Sequence, residues 1–266
     1  MALWTLFGLM RGKATTTWPR GAGDDGQEGV LGMPRYNPDA CADGCADCAD
    51  VCPTRAIAAR DGGLTVDYGR CVVCQICTDA CPTGAMEPSR DWAFGVRRRE
   101  DLLWSQTGAA AARQEMQQVA QSRAAFRRSL HIRHVDAGSC NGCESELQAL
   151  NNPFYNLHRL GIFFTASPRF ADLLLVTGPV TRAMREPLQA AYDAMPEPRW
   201  VMAIGTCAVS GGIAGGDYAC GTGLDGVLPV DVYLPGCPPN PAAIMEALLM
   251  FLDRAPQRVR GGRINV

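Results

Sequence analysis

In the second half of the chain, short apolar runs alternate with stretches of helical spacing. Residues 131–136 read as a strand that feeds a loop and then a helix over 144–151. The runs 172–176 and 200–204 are almost wholly apolar and short, so they are expected to be strands buried on both faces. Between them, 181–194 has helical character, with Thr181 placed to cap it. Another strand is expected at 230–234. A closing helix runs over 241–253, with Pro241 in its first turn, where the missing N–H costs no intrahelical bond. Strands alternating with helices predict a parallel sheet clothed by helices. In such a sheet the loops leaving the carboxyl ends of the strands share one edge, where ligands gather.

The first half lacks that rhythm. Residues 2–10 are apolar and give way to Arg11 and Lys13. At ~1.5 Å of rise per residue, a helix there covers less than half of a ~30 Å hydrocarbon core. The basic residues follow the apolar run and no A-x-A-like site is evident, which argues against a signal peptide. Two readings remain: a helix lying on a membrane surface or membrane subunit, or one packed on its own domain. Residues 21–32 turn to Gly, Asp and Glu and read as a loop. From 109 to 128 strong helix formers without Pro or Gly carry a thin stripe of Met116, Val119, Ala120 and Phe126, predicting a linker helix. The expected organisation is a docking segment over 1–32, a first domain over 33–95, a linker over 96–130 and a second domain over 131–257.

A chain of 266 residues can hold two modest domains. A net charge of −2 argues against a nucleic-acid partner, and the arginines of 97–99 and the linker are interrupted by Glu100, Asp101 and Glu115. Thirteen cysteines in short-spaced sets change the picture more. In a chain of this size they point to metal before a disulfide framework. Cys41, Cys45, Cys48 and Cys52-Pro53 form one unit, and Cys71, Cys74, Cys77 and Cys81-Pro82 a second. The second has the C-x2-C-x2-C-x3-C-P spacing of bacterial ferredoxins, whose fourth cysteine ligates the other cluster. Such spacing lets three thiolates converge while backbone N–H groups point at the cluster. The repeat of Pro-Thr-Arg-Ala-Ile after Cys52 as Pro-Thr-Gly-Ala-Met after Cys81 fits a pseudo-twofold unit. Carried over from that pattern, one 4Fe-4S cluster takes Cys41, Cys45, Cys48 and Cys81, and another takes Cys71, Cys74, Cys77 and Cys52. One departure stands out: Ala42-Asp43-Gly44 separates Cys41 from Cys45, where the pattern has two residues. Either Gly44 absorbs the extra residue in a bulge, or the first site holds a 3Fe cluster or a different ligand such as Asp43. Structural zinc is the plainer reading of any four cysteines.

The loop after the strand at 131–136 carries Cys140 and Cys143, separated by Asn141 and Gly142. Two thiols do not complete a tetrahedral site, so the rest must come from elsewhere. Cys207 and Cys237 each follow a predicted strand, and Cys220 is left over. CNGC, then AIGTCAVSGG, then VDVYLPGCPP resembles the small subunit of membrane-bound nickel-iron hydrogenases, especially of the formate hydrogenlyase type. The resemblance runs from about 129 to 253. The related complex I subunit shares the later two motifs but carries adjacent cysteines at the first. The block 8–20, with Gly-Lys-Ala-Thr-Thr-Thr-Trp-Pro at 12–19, resembles the start of the ferredoxin-like subunit of formate hydrogenlyase, which sits against the membrane arm.

The resemblance implies an α/β chain: a two-cluster ferredoxin-like domain followed by a flavodoxin-like hydrogenase small-subunit domain. It implies a third 4Fe-4S cluster on Cys140, Cys143, Cys207 and Cys237, nearest the active site of a separate large subunit. The expected role is electron transfer to or from a nickel-iron centre, peripheral on the cytoplasmic face of the membrane. Expected partners are a nickel-iron-type large subunit, membrane-arm subunits and an electron-donor subunit or ferredoxin. A complex I-like ion-pumping or quinone-linked assembly without hydrogenase activity is the alternative within this class, and a zinc-binding module the alternative outside it. No phosphate-loop frame surrounds Gly205, Gly211 or Gly212. His131, His134 and His158 read as packing or hydrogen-bonding residues, Met184, Met195, Met202 and Tyr192 as core filling, and Arg169 as structural or subunit-facing. Glu144 and Glu146 favour the N-terminus of their helix, and Glu144 is also a candidate for a proton path.

Overall fold

The computed structural model describes residues 3–11, 18–19, 27–60, 63–104 and 129–255. The predicted linker helix and most of the 8–20 block lie outside them. The apolar N-terminal stretch is a helix, α1 (Leu3–Arg11), with Leu6, Phe7, Leu9 and Met10 all exposed. No helix among the described residues is long and apolar enough to cross a membrane.

The first unit is built twice over. A 3-10 turn, Pro38–Ala40, delivers Cys41, and a one-turn helix, α2 (Asp47–Asp50), holds Cys48. The second half repeats this with the 3-10 turn Tyr68–Arg70 before Cys71 and the short helix α3 (Ile76–Asp79) around Cys77. Each 3-10 turn is capped alike: the Asn37 side chain accepts from the Asp39 N–H, and the Asp67 side chain from the Gly69 N–H. Short strands frame the pair. Strand β1 (Arg35–Tyr36) pairs antiparallel with β4 (Met86–Glu87), and β2 (Ile57–Arg60) with β3 (Gly63–Asp67). Strand β5 (Leu103–Trp104), in the segment expected to be linker, pairs with β3. Arg99 ties the same segment down through a 2.7 Å bond to Asp67.

The second unit is a five-stranded sheet. Its strands are β6 (Leu130–Asp136), β7 (Ile162–Phe164), β8 (Leu173–Thr177), β9 (Trp200–Ile204) and β10 (Val232–Leu234), in the order β10-β9-β8-β6-β7. All neighbours run parallel. Counted within the unit, that order is 2-1-3-4-5, the flavodoxin-like winding with its switch point between the first and third strands. Every residue of β8, β9 and β10 is buried, as the unbroken apolar runs require. The helices are α4 (Gly142–Ala149), α5 (Arg182–Asp193), α6 (Thr206–Ser210) and α7 (Pro241–Phe251). Thr181 is the N-cap of α5 by position but makes no side-chain capping bond, whereas Asn240 caps α7 by accepting from Ala243 N at 2.7 Å.

The two faces of the sheet feed different cores. Leu173 and Leu175 of β8 join Trp200, Met202 and the buried helix α7. Leu174 and Val176, pointing the other way, join Val201, Leu188 and the ferredoxin-like residues Tyr36, Tyr68 and Phe94. The first unit therefore shares a core with one face of the sheet. Val96 also forms an antiparallel bridge on Tyr233 of the edge strand β10, with N–H to O=C distances of 2.9 and 2.8 Å. This covers part of an open sheet edge.

Candidate metal centres

Three strands end where the second unit gathers its thiols. After β6, the Asp136 carboxylate accepts from the N–H groups of Gly138 and Ser139 at 2.8 and 2.6 Å, folding the loop that presents Cys140. Asn141 takes a left-handed φ of 66°, and Cys143 follows in the first turn of α4. After β9 the chain turns at Gly205, φ 86°, into α6 with Cys207 in its first turn. After β10 comes Gly236 and then Cys237. The last two loops are knitted by backbone bonds, Gly205 N–H to Leu234 O at 2.8 Å and Thr206 N–H to Gly236 O at 2.9 Å.

The four sulfurs feel one another. Burial raises the Cys143 thiol, and the neighbouring Glu144, Cys207, Cys237 and Cys140 raise it further. Cys207 is pushed up to about 11 by burial, then by Cys237 and Cys140. Cys237 is raised by burial and by Cys140. Glycines leave room beside these sulfurs. A β-carbon at Gly205 would stand 2.6 Å from Cys143 Sγ, and one at Gly212 2.9 Å from Cys207 Sγ. Cys220 also lies close enough to raise Cys207, a proximity that no spacing in the sequence announces.

In the first unit the halves cross. Cys48 is raised to about 11 by burial, then by Cys81, Cys41 and Cys45. Cys77 is raised to about 12 by burial, then by Cys52, Cys74 and Cys48. Cys71 rises to about 12 by burial; the Val73 N–H opposes this, and Cys77, Cys52 and Cys74 add to it. Cys81 therefore lies near the Cys41, Cys45 and Cys48 set, and Cys52 near the Cys71, Cys74 and Cys77 set. A recess of ≈ 380 Å³, open to solvent, is lined by Cys52, Cys71, Cys74 and Cys77 together with Ile57 and Val66. Backbone N–H groups aim at sulfur in both halves: Ala56 N–H to Cys52 Sγ at 3.2 Å and Met86 N–H to Cys81 Sγ at 3.4 Å. For Cys81, burial alone would raise the thiol, but the N–H groups of Met86, Thr83 and Ala85 and the Thr83 hydroxyl hold it below its ordinary value. The additional residue between Cys41 and Cys45 is taken up in a turn, with Gly44 at φ 73° and Cys45 N–H bonded to Ala42 O at 3.2 Å. Asp43 is exposed.

Twelve soft thiolate donors suit iron–sulfur clusters or zinc.

Glu144 is held firmly. It accepts from Ser139 Oγ at 2.6 Å and from Thr177 Oγ1, while His134 Nε2 lies 3.0 Å from Thr177 Oγ1 and 3.5 Å from Glu144 Oε1. Burial lowers the His134 pKa, and Glu144 and Asp136 oppose that. His131 and His158 both pack on Phe163, with ring centroids 5.7 and 5.2 Å away. Sequence reasoning did not single out Thr177, Ser139 or Thr206, since a hydroxyl carries no spacing signal.

The family model for the NADH ubiquinone oxidoreductase 20 kDa subunit matches residues 140–251, and that for a 4Fe-4S dicluster domain matches 30–86. Formate hydrogenlyase subunit 7 of Escherichia coli is 45% identical over 134 residues, 50% of this chain and 52% of that protein. The chain thus spans about half the length of that relative. An uncharacterized protein of Methanocaldococcus jannaschii is 46% identical over 129 residues, 48% of this chain and 86% of that one. A probable membrane-bound hydrogenase subunit of Pyrococcus furiosus is 41% identical over 134 residues, 50% of this chain and 80% of that one. With a parallel sheet gathering four thiols at one edge and a crossed cysteine unit ahead of it, the chain belongs to the 20 kDa subunit family of hydrogenase- and complex I-type oxidoreductases, preceded by a 4Fe-4S dicluster domain.

Proposed function

We propose that the chain is the electron-transfer subunit of a membrane-bound nickel-iron hydrogenase complex of the formate hydrogenlyase kind. It holds three 4Fe-4S clusters: one on Cys41, Cys45, Cys48 and Cys81, one on Cys52, Cys71, Cys74 and Cys77, and one on Cys140, Cys143, Cys207 and Cys237. When bound, such clusters carry single electrons at potentials tuned by the bonds to their sulfurs and by burial. The chain's own contribution is to place the thiols, to aim backbone N–H groups at them and to keep the sites partly dry. Having both units on one chain keeps electron donor and acceptor at high effective concentration.

The observation that carries this reading is that Cys81 lies beside Cys48 and Cys52 beside Cys77, with a separate set of four thiols at the sheet edge. The relatives named as formate hydrogenlyase and membrane-bound hydrogenase subunits support the hydrogenase assignment. On this reading the nickel-iron chemistry belongs to a partner large subunit, and membrane-arm subunits and an electron donor complete the assembly on the cytoplasmic face. The exposed apolar residues of α1 support a docking role for the N-terminal segment. The test is anaerobic preparation, iron analysis and electron paramagnetic resonance after dithionite. About twelve irons per chain, four for each cluster, with overlapping reduced-cluster signals is the expected result. Zinc in place of iron in anaerobically matured protein would reject it.

The match to the NADH ubiquinone oxidoreductase 20 kDa subunit favours a second reading, a complex I-like assembly without hydrogenase activity. Two CxxC pairs in the partner large subunit would select the hydrogenase; their absence would select the alternative.

A further inference from the structure

A buried hydroxyl links the cysteine loops of the two units. Thr206 is 1% exposed and donates its Oγ1–H to the Cys71 carbonyl at 2.8 Å. The same oxygen accepts the Gly236 N–H at 3.1 Å. Cys71 belongs to one of the N-terminal sets, while Cys207 follows Thr206 directly and Cys237 follows Gly236 directly. From the Cys71 sulfur to the Cys207 sulfur, the route is covalent except for one hydrogen bond. A second branch through the same oxygen reaches Cys237.

The surroundings hold that hydroxyl in place. The Thr206 N–H is bonded to Gly236 O at 2.9 Å, and the Cys71 N–H to Tyr68 O at 3.2 Å. The units are also joined where Val96 and Tyr233 exchange two backbone bonds, and a β-carbon on Gly95 would stand 2.8 Å from Ala247 Cβ. A hydroxyl has one proton to donate, and here it goes to a carbonyl of the other unit's cysteine loop.

We propose that Thr206 is a positioning residue for electron transfer between the units. Its hydroxyl couples the Cys71 loop to the Cys207 and Cys237 loops, so that the Cys52, Cys71, Cys74 and Cys77 site is the one that exchanges electrons with the site on the sheet edge. This rests on the three-cluster reading above. One electron leaves the reduced site and enters the oxidised one; no bond forms or breaks, and the hydroxyl proton stays on Thr206.

The experiment compares Thr206→Val, which keeps the branched shape without the hydroxyl, and Thr206→Ser, which keeps the hydroxyl. Both are made in the full chain and loaded with clusters anaerobically. Pulsed photoreduction followed by freeze-quench paramagnetic resonance reads how fast an electron placed on the N-terminal clusters reaches the third. In Thr206→Val, the iron content and the individual cluster signals stay as in the unsubstituted protein while equilibration slows severalfold. Thr206→Ser restores the rate. An unchanged rate in Thr206→Val overturns the proposal, and so does equal slowing in both variants, which would assign the effect to packing. Loss of the third cluster in Thr206→Val also overturns it, making the hydroxyl a scaffold for the ligand loops. Failure of the three-cluster reading is distinguishable, because it appears as missing iron or missing signals in the unsubstituted chain.

Discussion

Gly205 faces Cys143 so closely that a β-carbon on it would stand 2.6 Å from the sulfur, and its φ of 86° is one that side-chain-bearing residues rarely adopt. The turn after β9 is therefore built to let a thiol from another strand's loop pass against bare backbone. Gly205→Ala is expected to abolish the third site and spare the other two, lowering iron from about twelve to about eight per chain. Iron analysis with paramagnetic resonance distinguishes this from general misfolding, which would remove all three signals.

Crossed ligation makes a sharper claim on the first unit. Cys81 lies beside Cys48, and Cys52 beside Cys77, although each is nearer in sequence to the opposite set. Cys81→Ser should therefore perturb the site of Cys41, Cys45 and Cys48, and Cys52→Ser that of Cys71, Cys74 and Cys77. Spectra of the two variants that paired each fourth cysteine with its own half would exclude the crossing.

Cys220 stands close to Cys207 but outside the set of four. Replacing it with Ser is expected to leave the iron content and the third site's signal unaltered. A diminished signal would make it a ligand and displace one of the four assigned here.

His134 gives the fold an acid-side weakness. Burial pushes its pKa below the ordinary value of about 6.5, so the unfolded chain binds more protons than the folded one in that region. The stability this neutral histidine permits is present above pH ~6.5 and is lost as pH falls from there through the folded pKa. His134→Gln, which can keep a hydrogen bond to Thr177, should flatten the fall of the thermal midpoint on acidification. An identical pH profile in the variant would remove His134 as the cause.

Arg97 fastens the segment between the units to the end of α7, donating to Asp253 at 2.6 Å and to Met250 O at 2.8 Å. Its side chain and that of Asp253 are only 21% and 22% exposed. Arg97→Ala is expected to cost about 1–2 kcal/mol, more than an exposed pair would, because a carbonyl and a partly dry carboxylate lose their donor. Chemical denaturation of the two proteins measures the difference.

What the sequence determined by itself was local. The apolar runs at 172–176 and 200–204 read as buried strands, and β8 and β9 form there, while the cysteine spacings pointed to metal. Pro241 after Asn240 marked the start of the closing helix, which the Asn240 side chain caps. Strand β7 escaped, because Ile162–Phe164 is too short to show a period and gains its place only by pairing with β6. The flavodoxin-like winding was expected and the strands follow it, as 2-1-3-4-5; the tertiary structure alone decided that Cys220 approaches Cys207 and that Thr206 reaches Cys71. Spacing along a chain encodes which side chains share a turn or a strand face. It holds no record of which loops the packing of two units will bring within a hydrogen bond of each other, and that is where the route between the sites is made.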